Sequence, residues 1–441
     1  MVGYKKKSSG AWSEILSKKL QNQSGCPLRM WRYKQLEKFL SIGFPDRKTE
    51  NWRYTDISPI SSQIFLFDKT TADLDITDFA IENSYRIVFV NGCFSPALSN
   101  LISLPEEIQL SPLRTILKNY RKRNFVKKIP ILQTPFSLLN DGLFQDGMFL
   151  HIPKNFELKK PVHFLYLMKP NLPFSMTQTR NTIFLEENSR ASVLEEYFGT
   201  FCCPTKIYFN NIVTQIIVGA SANLAFYKLQ QENNSSFHIA NTQIKQLRNS
   251  QVVSFHCLMG GKIGREDLNY SLAGQGASCR LLGFYHLKNK QHIDNHTCVD
   301  HKSSGCTSQQ IYNGIIGNKS KAVFNGKILV RPEADKTVAH QNNKNLMFSN
   351  ESEINTKPEL EIYNNDVTCT HGATVGCLDD ETLFYLYSRG IDRLTAEYLL
   401  ACAFAEEITA KLPCKIISER MYQKIIKKLT LSVHSSEEEA L

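Results

Sequence analysis

Long apolar runs and a secretory signal are absent from this sequence. No apolar run approaches the roughly 18 residues that a membrane-spanning helix requires, and the longest one, residues 398–405, is far shorter. The basic residues Lys5–Lys7 are not followed by the apolar segment of a signal peptide. We therefore predict a cytoplasmic protein with no membrane contact.

Motifs of the common nucleotide-binding and hydrolytic sites are also missing. Gly260-Gly261-Lys262 lacks the upstream glycine and the Ser or Thr of a phosphate-binding loop, so we expect no ATP site on this chain. Neither G-x-S-x-G nor H-E-x-x-H occurs, which leaves serine-hydrolase and zinc-protease chemistry without a motif.

Twelve cysteines and a formal charge of +10 are present. Without a secretory signal, the cysteines indicate a reducing compartment, where a cysteine is either a small buried residue or a soft metal ligand. No nucleic-acid-binding motif accompanies the basic residues, so we interpret their clusters as solvated surface and predict no nucleic-acid partner. These clusters are Lys5–Lys7, Lys18–Lys19, Arg121–Lys128 and Lys424–Lys428.

The first of three segments, residues 1–130, is predicted to be mainly helical. Leu36, Phe39 and Leu40 have helical spacing before a stop at Gly43. Arg86–Val90 is an exception, because its β-branched and aromatic residues indicate a strand.

The middle segment, residues 131–377, is predicted to be β-structure. Short β-prone runs such as Val162–Met168 alternate with glycine, asparagine and serine. A pattern G-x-x-(S/A) before alternating apolar residues recurs at Gly219–Ala222, Gly274–Ala277 and Gly317–Ser320. This repetition favours a parallel β-solenoid, while a barrel or a propeller stays open from the pattern alone.

The last segment, residues 378–441, returns to helix. Asp379 is a predicted N-cap, and Gly390 is a predicted helix stop. Because the end rungs of a solenoid expose sheet edges and core, we expect the helical ends to cover them.

Residues 292–301, HIDNHTCVDH, form the densest cluster of polar residues. On a strand, alternate residues share a face, which here holds His292, Asp294, His296, Cys298 and Asp300. This face either binds a divalent or soft metal or forms a hydrogen-bonded polar ladder.

A second cluster contains Cys369 and His371, which share a strand face because they are two residues apart. Thiolate and imidazole together suit iron, copper or zinc, but two protein ligands do not complete a site, so a partner chain or sulfide would have to contribute. A buried cysteine beside a hydrogen-bonded histidine is the alternative. The adjacent pair Cys202 and Cys203 is predicted to be structural, since neighbouring strand residues point to opposite faces.

Several blocks of the chain resemble the SufBD family of the SUF iron–sulfur cluster assembly system, in its SufD branch. The blocks are GFPDRKTENWRYTDIS (43–58), HIDNHT (292–297), AVFNGKILV (322–330), AHQNNKNLMFS (339–349), KPELEIYNNDVTCTHGATVGCLD (357–379) and LFYLYSRGI (383–391). The SufB branch carries an acidic stretch where this chain has THGATVG at 370–376, so the resemblance is to SufD.

The resemblance implies a mainly β fold, a right-handed parallel β-helix between helical ends. It also implies a complex with SufB, through paired β-helices, and with the ATPase SufC. Within that complex this chain would be a non-enzymatic scaffold for a transient iron–sulfur cluster at the SufB interface. His371 is then the ligand candidate, with Cys369 beside it. The resemblance also implies a reduced flavin in the complex, for which this sequence has no motif of its own.

The C-terminal helices are implied to dock SufC. The residues expected there are Asp379, Leu383, Phe384, Tyr385, Arg389, Tyr398 and Phe404.

Two other functions stay open. A β-solenoid carbohydrate-active enzyme would need paired carboxylates on one face, which Asp294 and Asp300 could supply. A structural adaptor would leave all cluster ligands on SufB. A homodimer of the isolated chain also stays open.

Overall fold

The structure, a computed structural model, describes residues 12, 28–68, 74–118, 132–199 and 206–438. The predictions for Lys5–Lys7, Lys18–Lys19, Arg121–Lys128 and the pair Cys202–Cys203 concern residues outside these ranges.

Two ten-stranded sheets make up most of the described chain. The first sheet contains β1 (Leu66–Phe67), β4 (Gln109–Pro112), β5 (Met148–Ile152), β7 (Phe174–Leu185), β9 (Ile207–Val218), β11 (Phe237–Gln246), β13 (Ile263–Leu272), β15 (His292–His301), β17 (Lys321–Val330) and β19 (Glu353–Ile362). The second sheet contains β2 (Tyr85–Val90), β3 (Cys93–Asn100), β6 (Val162–Met168), β8 (Arg190–Gly199), β10 (Asn223–Gln231), β12 (Gln251–Leu258), β14 (Ser278–Leu287), β16 (Thr307–Ile316), β18 (Thr337–Met347) and β20 (Val367–Gly376).

From β5 onward the chain alternates between the two sheets. Each strand therefore pairs in parallel with the strand two further along, as when Ile293 of β15 pairs with Ala322 of β17. Two strands and two corners make one turn, and about seven turns form a parallel β-solenoid, which confirms the predicted mainly β solenoid. The right-handed sense of the coil stays a prediction.

The recurring G-x-x-(S/A) tetrapeptides form corners of the solenoid. The amide of Ala222 donates to the carbonyl of Gly219 at 3.2 Å, and Ala277 donates in the same way to Gly274 at 3.3 Å. At one edge of the solenoid each corner also holds a residue of positive φ, a conformation that favours Asn and Gly. The N–H of each such residue donates to a carbonyl of the next turn; these residues are Asn155, Asn188, Ser221, Asn249, Gly276, Gly305 and Lys336.

Seven α-helices accompany the sheets in the described ranges. They are α1 (Arg29–Ile42), α2 (Ser58–Ser61), α3 (Leu113–Lys118), α4 (Pro135–Leu143), α5 (Asp380–Ser388), α6 (Arg393–Thr409) and α7 (Lys415–Glu438). None of them is long and apolar enough to cross a membrane.

Apolar residues are buried in three layers. The interior of the solenoid is one core, which includes Phe226 and Leu281. A second core lies between the first sheet and the N-terminal helices, where Leu36 of α1 and Phe136 of α4 contact the sheet through residues such as Phe209. The third lies between the second sheet and helices α6 and α7.

The N-terminal segment joins the solenoid as well as covering it. Helix α1 ends at Gly43, whose φ is 76°, so the predicted stop is confirmed. The predicted strand at Arg86–Val90 is β2, and the turn Asn91-Gly92 leads into its antiparallel partner β3. Strands β2, β3 and β4 precede residue 130 but belong to the same two sheets as the later strands. The division of the chain into three segments stays a prediction.

The C-terminal helices do not cover the end rung, and that expectation was wrong. Helices α6 and α7 lie along the side of the second sheet instead. The reason is that the outward face of this sheet is apolar, with Tyr227, Phe255 and Phe284 fully buried beneath the helices. Covering that face removes more apolar surface from water than covering one end strand would.

Candidate metal centre at the open end of the solenoid

The C-terminal end of the solenoid is open. Strands β19 and β20 each pair on one side only, with β17 and β18, and no other described strand continues either sheet. Side chains that would be interior in an earlier turn are therefore half-buried or exposed here. We call this end, formed by β19, β20 and the strands beneath them, the mouth.

Cys369 lies on the inward side of β20. It pairs with Ala339, which is fully buried, and packs against a small apolar cluster that includes Ile328, Val330 and Leu360. Burial raises the pKa of the Cys369 thiol. The thiol is therefore protonated at neutral pH, and a metal that bound it would have to displace the proton.

His371 lies on the same side of β20 and is exposed. Its register partner is Gln341 of β18. On the outward side, Nδ1 of His340 is 2.7 Å from Oγ1 of Thr370. All four residues line one surface groove at the mouth. The shared face predicted from the i, i+2 spacing is present, and the ligand role of His371 and Cys369 stays a prediction.

A column of polar side chains leads inward from His371. Gln310, Gln341 and His371 are register partners on three consecutive strands of the second sheet. Nε2 of Gln310 donates to Oγ1 of Thr297 at 2.5 Å, and Nε2 of Gln341 donates to the Gly326 carbonyl at 3.1 Å, both across the solenoid interior. The amide oxygens of both glutamines are buried without a hydrogen-bond partner. Sequence reasoning did not single out either glutamine, although Gln341 lies inside the AHQNNKNLMFS block.

Deeper in the interior lies a charged network that the sequence did not reveal. Nζ of Lys228 is 2.8 Å from Oε2 of Glu266 and donates to Oγ1 of Thr242 at 2.9 Å. Burial alone would raise the pKa of Glu266, but Lys228 and His256 hold it well below its usual range. The network keeps these buried charges paired, without which they would strongly destabilise the fold.

Strand β15 carries the HIDNHTCVDH cluster, as predicted. Asp294 accepts hydrogen bonds from Nη1 of Arg265 at 2.6 Å and from Oγ1 of Thr55 at 2.5 Å, and its other oxygen is 2.9 Å from Nε2 of His296. Burial would raise the pKa of Asp294, but Arg265 and His296 hold it well below its usual range. Thr55 also contacts His292 at 2.8 Å. Of the two interpretations, the hydrogen-bonded ladder is the one the geometry favours.

The N-terminal segment is fastened to this ladder. The guanidinium of Arg265 lies 3.8 Å from the ring centroid of Trp52 and donates to the carbonyl of Asn51 at 2.7 Å. The block at residues 43–58 therefore packs on β13 and β15. Two blocks that are distant in the sequence, 43–58 and 292–297, are thus in contact in the fold.

Asp300 and Cys298 of the same cluster are also held by their surroundings. Asp300 accepts from Nε of Arg331 at 2.9 Å and lies 3.3 Å from Nζ of Lys302. Burial, with Asp300 nearby, raises the pKa of Cys298 to about 11. Since Asp294 and Asp300 are each committed to cationic partners, the geometry gives no support to a carbohydrate-cleaving carboxylate pair.

Helix α5 presents an exposed aromatic surface. Asp379 is its N-cap, as predicted, with its carboxylate accepting from an amide three residues on at 2.9 Å. Phe384 is 73% exposed and Tyr385 is 57% exposed, and the guanidinium of Arg389 lies 5.2 Å from the Tyr385 ring. Leu383 is half-buried.

Tyr398 and Phe404 lie on α6 in a different environment. Both are half-buried in the packing between α6, α7 and the second sheet. The hydroxyl of Tyr398 is 3.2 Å from Oγ1 of Thr430, and the Phe404 carbonyl accepts from Nδ2 of Asn313 at 3.2 Å. These two residues therefore contribute to packing within the chain.

Helix α7 is anchored by a buried carboxylate. Nη2 of Arg420 donates to both oxygens of Glu196 on β8, at 2.8 and 3.0 Å, and Nε2 of His163 is 3.0 Å from the same carboxylate. Burial would raise the pKa of Glu196, but His163 and Arg420 lower it to about 2. Lys424 and Lys428 are not the solvated residues we expected: both are half-buried against the sheet, and burial lowers the pKa of Lys428 to about 8.

Within the ranges that the structure covers, no three His, Cys, Asp or Glu side chains are grouped to hold a metal ion. The inward face of the mouth supplies two candidate donors, Cys369 and His371. Any metal bound there needs further ligands from outside these residues.

Two protein-family models match the sequence of this chain. The model described as "SUF system FeS cluster assembly, SufBD core domain" matches residues 167–404, and "SufBD protein N-terminal region" matches residues 14–164. The chain belongs to the SufBD family, so it is an iron–sulfur cluster assembly protein.

Individual relatives sharpen this assignment. A SufBD family protein for iron–sulfur cluster assembly from Synechocystis sp. is 33% identical over 87% of this chain and 87% of its own. The iron–sulfur cluster assembly protein SufD of Escherichia coli is 29% identical, over 89% of this chain and 91% of its own. SufD of Bacillus subtilis is 24% identical, over 91% and 93%. The chain is similar to SufD proteins over nearly its whole length, as the block resemblance predicted.

Proposed function

We propose that this chain is a non-enzymatic scaffold subunit that builds an iron–sulfur cluster together with SufB. The cluster is cargo, assembled at the mouth and then passed on. The observation that carries the proposal is the pairing of an open solenoid end with a histidine and a cysteine on its inward face. An open sheet edge invites pairing with another chain, and the SufB solenoid is the partner that the family resemblance implies.

His371 is the leading ligand in this proposal. Its imidazole is exposed at the mouth. A neutral imidazole is a suitable iron ligand and adds no charge of its own to the cluster. Cys369 is less available, because burial raises the pKa of its thiol. Ligation through one imidazole suits a cluster that must leave again.

We further propose that SufC docks on the C-terminal helices and that its ATP hydrolysis changes the mouth. The exposed aromatic residues Phe384 and Tyr385 on α5 support this, because α5 follows β20 directly and so links the docking surface to the mouth. Among the docking residues expected from the sequence, Asp379, Leu383 and Arg389 share this surface. Tyr398 and Phe404 would act indirectly, through the packing of α6 on the second sheet.

The test is His371→Ala in the complex reconstituted with SufB and SufC. We expect cluster formation, followed by anaerobic absorbance, to fall at least tenfold while the complex still assembles. The matched control is His340→Ala, since His340 is an exposed histidine in the same groove on the outward face. Equal cluster yields from both variants would contradict the proposal.

A structural adaptor, with all ligands on SufB, is the second candidate. It is favoured by the mouth having two donors, one of them a protonated thiol. X-ray absorption of the loaded complex distinguishes the two: the scaffold requires loss of a nitrogen ligand in the His371→Ala variant, and the adaptor requires an unchanged spectrum.

Three further properties belong to this proposal. They are a cytoplasmic location, a reduced flavin in the complex and a homodimer of the isolated chain. Purification of the chain with and without SufB and SufC, with flavin absorbance and mass measured, tests the last two.

A further inference from the structure

We propose that Gln341 positions His371 by accepting a hydrogen bond from one imidazole N–H through its Oε1. The other ring nitrogen is then left unprotonated and free to bind iron. This inference rests on the proposed function of His371 and adds a positioning residue to it.

The register of the second sheet brings the two residues together. Gln341 of β18 and His371 of β20 are direct partners in a parallel pair, so their side chains leave the sheet on the same face. Neighbouring strands lie about 4.8 Å apart, so rotation of the exposed His371 side chain can bring its ring to the Gln341 amide, a bond that is not formed in the structure itself. Both residues line the groove at the mouth.

The amide of Gln341 is held with its oxygen available. Nε2 donates to the Gly326 carbonyl at 3.1 Å, which fixes the orientation of the amide. A Cβ at Gly326 would lie 2.1 Å from this Nε2, so the glycine makes room for the contact. Gln341 is only 3% exposed, and its Oε1 has no hydrogen-bond partner. A buried carbonyl oxygen without a donor is unfavourable, and a ring N–H of His371 would supply that donor once the imidazole turns toward it.

The turn beneath repeats the arrangement. Gln310 donates through Nε2 to Thr297 across the interior, and its Oε1 is likewise without a partner. His371 is the next member of the column, at the position where the solenoid opens. The column therefore holds two buried acceptor oxygens without a partner and no carboxylate of its own.

The chemical consequence concerns the histidine tautomer. A neutral imidazole has one N–H and one free nitrogen, and the partner of the N–H decides which nitrogen is free. Partners of this kind commonly change metal affinity by about 10- to 100-fold when they are removed. An uncharged amide fixes the tautomer without adding negative charge, which keeps the iron bond labile.

The experiment is nitrogen NMR of the full chain labelled with 15N-histidine, in which the 11 histidines report separately. His371 is assigned by the signals lost in His371→Asn. We expect one dominant tautomer in the unaltered chain, a mixture of both in Gln341→Met, and one tautomer again in Gln341→Glu, which retains an acceptor oxygen. Gln309→Met is the matched control, because Gln309 lines the same groove but is exposed on the outward face.

A second variant protects the test against misfolding of Gln341→Met. Gly326→Ala keeps the glutamine but displaces its amide, so it should also give mixed tautomers. In the complex with SufB and SufC, Gln341→Met should retain iron about tenfold less well. An unchanged His371 tautomer in both variants overturns the inference, whatever the cluster yield. Conversely, an altered tautomer together with a fully active His371→Ala refutes the ligand role and leaves the contact intact.

Discussion

Replacing Arg420 by methionine should detach helix α7 from the solenoid. Arg420 forms a two-pronged contact with Glu196, and Glu196 is fully buried on the outward face of β8. Methionine fills similar space but leaves the carboxylate with His163 as its remaining partner in this contact. The buried charge then loses its main counter-ion, and α7 loses its polar attachment to the sheet.

The magnitude follows from the carboxylate. A pKa lowered from 4.5 to about 2 corresponds to roughly 3 kcal/mol of stability at neutral pH, of which His163 and Arg420 each contribute a part. Removal of one member of a buried pair commonly costs about 3–5 kcal/mol. Because the pKa in the folded state is lowered, this contribution is complete above about pH 4.5 and is lost as the pH falls toward 2. The difference between Arg420→Met and the unaltered chain should shrink over that interval.

Hydrogen exchange resolved by segment is the appropriate assay, because α7 can detach without global unfolding. We expect exchange of the α7 amides to rise more than tenfold at pH 7, with the strands β10 to β16 little changed. The matched control is Glu419→Gln, which breaks the exposed 3.8 Å pair with Lys415 on the same helix. An exposed pair of this kind contributes about 0–1 kcal/mol. If the α7 amides were as well protected from exchange in Arg420→Met as they are in Glu419→Gln, the anchoring role of Arg420 would be refuted.

Two further substitutions probe the interior and the N-terminal contact. Gly283→Ala should lower the free energy of unfolding by about 1–3 kcal/mol in urea titration, because its Cβ would lie 2.1 Å from the Tyr312 ring inside the solenoid. Arg265→Met should raise hydrogen exchange at Glu50–Tyr54 more than tenfold, since it removes the contact with the Trp52 ring and the ion pair with Asp294.

Each of these has a control in the same chain. Gly376→Ala should leave stability nearly unchanged, because nothing lies within 4 Å of a Cβ there; a cost equal to that of Gly283→Ala would contradict the packing argument. Arg331→Met removes a partly exposed pair with Asp300 and should leave residues 50–54 protected. Equal exchange in the Arg265 and Arg331 variants would show that the N-terminal segment is held by other contacts.

Local features of the fold were predictable from the sequence because they depend on residues close together in the chain. The helix stop at Gly43, the N-cap at Asp379 and the corners at Gly219–Ala222 and Gly274–Ala277 each depend on a few residue types at fixed nearby positions. The shared face of Cys369 and His371 follows from the strand period alone.

Features that depend on long-range pairing were not predictable in the same way. The contact between Arg420 and Glu196 joins residues 224 positions apart, and nothing near either one indicates the other. The register that sets Gln341 beside His371 depends on the combined length of β19 and the two corners that separate β18 from β20. The position of α6 and α7 depends on the apolar outward face of the second sheet. The sequence of each strand does not indicate that helices cover this face.

The alternation of strands between two sheets also determines the order in which the protein can form during synthesis. Each strand finds its partner on the preceding turn, 29 residues earlier in the case of Ala322 and Ile293, so every turn can fold on a finished template as the ribosome releases it. The rung that carries Cys369 and His371 is the last to be added before α5 begins. In this order of folding, the edges of every earlier turn stay open only until the next turn pairs with them. The edges at the mouth stay open, because no further strand of the described chain pairs with them.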